Sequence, residues 1–354
     1  MRITPVMRAF ASMSLAVAGL AAVPSTAHAA TFVPCSPTAL ITAITNANNS
    51  GGDSLVLSAG CTYTLTAVDN SDSGSPNGLP VIRKNISITG NGSIIERSAA
   101  AGTPDFRIFE VDPPDGYLTL VDLTVRNGRT SPGEVGGGVW LNDGGTLRVV
   151  NSTITGNVGS DSGGGGIDND EGSVSVENST LSGNTSPFGG GMDMDGGTAT
   201  LTNSRVVNNT ATSSGGGIWG SGTLTLLNTE VSGNTAPVGA GITSFATTHL
   251  LSSSVDHNTA TASGDAGAGI VNGATLTTSS TQIVGNTASA TGSRGGGLLN
   301  QSGRTATLQS TTVSGNRAGD GGGIYNRGTV NLVASSVFAN TPNQCAPPGS
   351  VPGC

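Results

Sequence analysis

Residues Gly215-Gly216-Gly217-Ile218-Trp219-Gly220-Ser221-Gly222-Thr223-Leu224-Thr225-Leu226-Leu227-Asn228-Thr229-Glu230-Val231-Ser232-Gly233-Asn234 decide the fold. A glycine cluster leads to an isolated apolar residue, and then Leu224 and Leu226 alternate with threonine. This period of two belongs to a strand, because a helix would space its apolar residues by three and four. The same phrase is written eight times from about residue 136 onward. Its closing asparagines are Asn157, Asn184, Asn209, Asn234, Asn258, Asn286, Asn316 and Asn340, and the glycine clusters keep step with them.

A period of about 26 residues means stacked units, none of which buries its apolar face alone. Leucine-rich repeats are excluded by the missing helical segment, and about 26 residues is too short for a four-stranded propeller blade. Three short strands and three turns per coil fit the length. Each coil then rises one strand spacing, about 4.8 Å, and the crossover rule favours right-handed winding. The expected fold class is therefore all-β, a right-handed parallel β-helix of about ten coils. Inward Leu, Val and Ile form core columns, and the closing asparagines pair amide to amide between coils while satisfying turn backbone groups.

Outside the repeat, residues 1–29 read as a secretory signal peptide. Arg2 and Arg8 precede an apolar stretch from Ala9 to Val23, and Ala27-His28-Ala29 is a small-residue cleavage site. No other stretch approaches the roughly 20 apolar residues of a membrane helix, so a secreted, extracellular protein, monomeric and without a transmembrane segment, is expected. Residues 30–66 form an N-terminal cap, 67–340 the β-helix and 341–354 a Pro-rich tail. In the cap, Ser36 is placed to N-cap a helix with Pro37 at its first position and Leu40, Ile41, Ile44 and Ala47 on one face. Less regular strands are expected at Leu55–Leu57, Tyr63–Leu65, Val81–Ile88 and Leu118–Val125. Four cysteines allow three pairings. The end-local one, Cys35 with Cys61 and Cys345 with Cys354, is preferred because the long repeat separates the two pairs, and disulfides suit an oxidising compartment. Loss of Arg2 and Arg8 takes the formal charge from −8 to −10, which makes nucleic acid a poor partner.

The GGGIYN-like and NSTVSGN-like segments across residues 136 to 340 resemble secreted right-handed parallel β-helix proteins, pectate-lyase-like in fold, with repeats like those of polymorphic outer-membrane proteins. Cys35 to Asn48 looks like a degenerate form of the cap that precedes such repeats. The resemblance implies the fold and an extracellular setting. It spans lyases, hydrolases, adhesins and proteins without assigned activity. The Asn-Thr-Asp, Asp-Asp, His-Gly and Arg-Ile-Lys motifs of the related polygalacturonases are absent from this sequence.

Three histidines offer little chemistry: His28 leaves with the leader, His257 takes a turn position before Asn258, and His249 stands alone. Stacking the coils on the residue after each Gly-Gly-Gly-apolar corner gives the column Trp140, Asp168, Asp193, Trp219, Thr243, Val271, Leu299, Tyr325. Two positions on lie Asn142, Asp170, Asp195 and Ser221. Both rows are expected to face outward, an acidic square with both tryptophans of the chain above and below it. Asp168, Asp170, Asp193 and Asp195 are the candidate catalytic residues, and Trp140 and Trp219 candidate platforms for sugar rings. Close like charges raise a carboxyl pKa or recruit a cation, so Ca²⁺ at Asp168 and Asp193 is the one cofactor considered. Residues Gly163 to Asp168 match the Gly-Gly-x-Gly-x-Asp calcium motif, but its tandem nine-residue period is missing. Three functions stay open: noncatalytic binding of polysaccharide or a cell surface, which leads; a polysaccharide lyase or glycoside hydrolase; and a structural or adhesive repeat protein.

Overall fold

A computed structural model describes residues 29–354, so the expected leader lies, but for Ala29, outside the described residues. The chain winds into a parallel β-solenoid of about 11 turns. Every coil hydrogen-bonds in parallel to the next. One long sheet carries the Thr-Leu-Thr-Leu and Ser-Thr-Val-Ser strands, and a ten-stranded sheet carries the residues after the glycine clusters. Core columns run through the long sheet: Leu147, Val174, Ala199, Leu224, Thr248, Leu276, Ala306 and Val330 are consecutive register partners, and all are buried. Thr248 interrupts the apolar column, and its hydroxyl donates to Ser244 Oγ at 2.7 Å.

The closing asparagines form the expected ladder. The amide of Asn209 donates to Asn234 Oδ1 at 3.1 Å and to the Leu181 carbonyl at 3.0 Å, while its backbone N–H reaches the same Asn234 Oδ1 at 2.9 Å. The pattern repeats from Asn157 to the Asn316–Asn340 pair. His257 adopts φ 53° at its turn, as expected for a turn-filling residue.

Helix α1, Pro37–Ser50, closes the N-terminal end by burying Leu40, Ile44 and Ala47. Ser36 has the extended backbone of an N-cap, but its side chain makes no capping hydrogen bond; only its carbonyl enters the helix, accepting the Leu40 N–H at 3.1 Å. The early strands are Gly52–Leu57, Thr62–Leu65, Asn85–Arg97 and Tyr117–Arg126. The expected strand at Val81 instead starts at Asn85. Asn48 on α1 explains the difference, since its side chain takes the Arg83 N–H at 2.9 Å and gives an N–H to the Val81 carbonyl at 2.8 Å, removing both groups from a ladder. Disulfides join Cys35 to Cys61 and Cys345 to Cys354, the end-local pairing. Among the described residues, no helix is long and apolar enough to cross a membrane.

Candidate functional site

The column read from the repeat is in register. Asp168 pairs with Trp140 and with Asp193, Asp170 with Asp195, and Trp219 with Thr243, which continues through Val271 and Leu299 to Tyr325. Met192 pairs with Ile218, which sets Trp219 beside Asp193 in the stack.

The expectation that this column faces solvent is corrected. Asp168 is 4% exposed and Asp193 3%, and farther along Thr243, Val271 and Leu299 are just as buried. The cause lies in the glycine corners. A Cβ on Gly163 would stand 2.3 Å from Asp168 Oδ2 and 2.6 Å from Val135 Cβ, and one on Gly136 would stand 2.7 Å from Trp140 Cβ. Only glycine lets the corners fold down over the strands this closely. Beneath them runs a small secondary core, which Val271, Leu299, Tyr325 and Ala346 fill with apolar atoms. Asp168 and Asp193 put carboxyl groups into the same slot.

There the covering opens into a cleft of about 330 Å³, with Asp168 and Asp193 among its lining and Trp140, Phe188 and Trp219 as aromatic walls. Asp195 is exposed and Asp170 half-buried. Ser221 Oγ donates to Asp195 Oδ1 at 3.2 Å, and the Met194 N–H donates to Asp193 Oδ1 at 2.9 Å. Phe188 meets Trp219 edge-on with ring centroids 5.8 Å apart, and Phe245 continues the ledge 5.7 Å beyond Trp219.

Burial dominates the electrostatics. It pushes Asp168 up to about 7 against the partial relief of the Gly164 N–H and the Arg107 charge. Asp193 is likewise raised, by burial first and by the adjacent Asp168 second, and Asp170 is raised by burial and by Asp143, Asp195 and Glu171. Near neutral pH the buried pair therefore holds a proton, because two adjacent carboxylates without water cannot both ionise cheaply.

Arg107 and Glu110 escaped the sequence reading. Glu110 occupies the same column one coil before Trp140. Arg107, fully buried, pairs with Glu110 at 3.3 Å and lays its guanidinium 4.3 Å from the Trp140 ring centroid. Trp140 is thus held from behind by a buried ion pair. Phe188 was also missed; it ends the short strand Thr185–Phe188, whose register shifts just before a glycine cluster.

Ca²⁺ takes about six to eight oxygens, and among the described residues no group of three or more His, Cys, Asp or Glu side chains is arranged to hold a metal ion.

Parallel coils, an asparagine ladder and an aromatic-walled acidic cleft define a β-solenoid with a carboxyl-lined recess on one face. The chain belongs to the right-handed β-helix family: the family described as "Right handed beta helix region" matches residues 137–338. Among solved structures, the crystal structure of pectate lyase Pel9A resembles it with a TM-score of 0.50 at 12% identity, covering 90% of this chain and 81% of that one. At that identity the likeness is one of fold. No curated protein matches the sequence.

Proposed function

We propose that this is an exported saccharide-binding protein whose cleft seats part of a glycan between Trp140 and Trp219. The observation that carries the reading is a pair of carboxyl groups buried at the floor of an aromatic-walled cleft, in a column that is otherwise apolar over its later coils. Aromatic faces suit the C–H faces of sugar rings, and a few placed polar groups fix orientation. A protonated and an ionised carboxyl side by side offer both a donor and acceptors to sugar hydroxyls. In-register stacking puts three coil spacings, roughly 14 Å, between the Trp140 and Trp219 backbones, room for a short stretch of glycan along the solenoid axis. The Phe188–Trp219–Phe245 ledge extends that track. Export is supported by the leader-like first 29 residues and the two disulfides.

A catalytic reading is favoured by one observation, the Asp168 carboxyl raised to about 7, which suits a general acid. Lyase chemistry is disfavoured: it needs a base for a sugar C–H proton, and the described residues lining the cleft include no Lys, Arg or His. A panel of polysaccharides tests the readings together. Binding that Trp219→Ala weakens at least tenfold, without new reducing ends, supports the binding protein. Reducing ends that vanish in Asp168→Asn support a hydrolase. A panel with neither result overturns the saccharide reading.

A further inference from the structure

The column that builds the cleft repeats one chemical device at its two ends. At the N-terminal end, Trp140 carries the Arg107 guanidinium on its ring, and Glu110 neutralises the arginine. At the C-terminal end, Tyr325 has the guanidinium groups of Arg294 and Arg327 each 5.3 Å from its ring centroid, and Asp265 pairs with both arginines. Each sets guanidinium between an aromatic ring and a carboxylate, with one arginine at the first end and two at the second, so that ring quadrupole and carboxylate hold the cation together. Between them stands Trp219, with Asp193 beside it in the stack and Asp195 two residues on. Its ring neighbours are Phe188 and Phe245, and among the described residues no cation lies on it. Trp219 thus presents a ring beside carboxyl groups that line the same cleft.

We propose that the ligand supplies a cation to this ring, and that the cleft is specific for a glycan whose sugars bear an ammonium group, an amino-sugar polymer, seated on Trp219 against Asp193 and Asp195. The inference rests on the saccharide reading above and narrows it. Three further facts agree. Arg107, the cation nearest the floor, is fully buried and already engaged by Glu110. Asp143 and Glu171 add negative charge around Asp170, so a polyuronate would meet repulsion throughout. Among the described residues no group of three or more His, Cys, Asp or Glu side chains is placed to hold a metal ion, whereas an organic ammonium needs only a ring face and one or two carboxylates. Such recognition by aromatic rings is a general solution for organic cations.

Titration calorimetry with the glucosamine tetramer, the N-acetylglucosamine tetramer and tetragalacturonate separates the outcomes. The glucosamine tetramer is expected to bind at least tenfold more tightly than its N-acetylated counterpart, with tetragalacturonate weakest. Asp195→Asn replaces an exposed carboxylate of the cleft by its neutral isostere, and it should weaken the glucosamine tetramer severalfold more than the N-acetylated one, narrowing the preference while the thermal melt shows the variant folded. Equal or better binding of the N-acetylated tetramer overturns the ammonium inference and leaves the saccharide reading standing. Binding of choline chloride with none of the three tetramers overturns both.

Discussion

At the residue scale, the two tryptophans share a column but not an environment. Trp140 covers the buried Arg107–Glu110 pair, whereas Trp219 leans on Phe188 and the exposed Phe245. Trp219 is half-buried, and Trp219→Ala is expected to cost about 1–2 kcal/mol through the two lost ring contacts. Trp140→Ala uncovers a buried ion pair and is expected to cost about 2–4 kcal/mol; chemical denaturation of the two variants checks the contrast, and equal losses would contradict it. Asp168 makes a pH prediction. Its folded pKa of about 7 lies above the ordinary 3.8, so the folded state binds the extra proton between those values. Its contribution is thus most favourable at low pH and is lost as pH rises from about 4 through 7. Asp168→Asn removes this penalty: it should be more stable than the parent at pH 8, by an amount on the order of a few kcal/mol, with the gap closing near pH 4. Thermal melts across that range decide it. The sequence placed Trp140, Asp168, Asp193 and Trp219 in one stack because the glycine corners fix the register. It missed their burial, although Val271 and Leu299 farther along were a sign that the slot is covered. Glu110 escaped because its coil lacks the glycine cluster that marks the column elsewhere.

At the scale of the element, the asparagine ladder does the work that caps do for helices. Asn234 Oδ1 accepts both the backbone and side-chain N–H of Asn209, and its own amide reaches the Val206 carbonyl and Asn258 Oδ1. All of this is buried, so removing the amide strands donors and acceptors that water does not reach. Each such orphan costs about 1–3 kcal/mol. Asn234→Ala is expected to destabilise by roughly 3–5 kcal/mol, well beyond Ser232→Ala, whose half-buried hydroxyl donates to Asp256 at 2.6 Å. Equilibrium unfolding of both variants tests this, and a loss below about 1 kcal/mol for Asn234→Ala would show that the ladder is ornamental. The ladder was legible because every member closes the same phrase. The start of the strand at Asn85 was not, because it depends on Asn48, a contact across 35 residues that no local pattern announces.

Over the whole molecule, stability is close to a sum of neighbour-on-neighbour terms, since each coil pairs its strands with those beside it. The periodic sequence made this architecture plain, while the cleft, which depends on how corners overhang a strand, was visible only as a list of residues. In such a stack the ends open first. The N-terminal end is covered by α1 and tied by Cys35–Cys61. At the other end, the strands Thr329–Val333 and Ser336–Phe338 carry exposed Val333 and Phe338, and the tail adds its short strand to the ten-stranded sheet, where Ala346 meets Tyr325. Cys345–Cys354 closes a loop short enough to contribute about 2–3 kcal/mol by chain entropy. A Cys345→Ser, Cys354→Ser variant should therefore lose amide protection in residues 324–346, with little change between 139 and 260, because the intervening coils insulate the centre. The cleft lies in that centre, so glycan binding should persist. Hydrogen exchange followed by mass spectrometry reads both regions at once. Protection lost evenly along the chain would mean that the coils unfold as one cooperative block, and that the two disulfides guard the cleft as well as the ends.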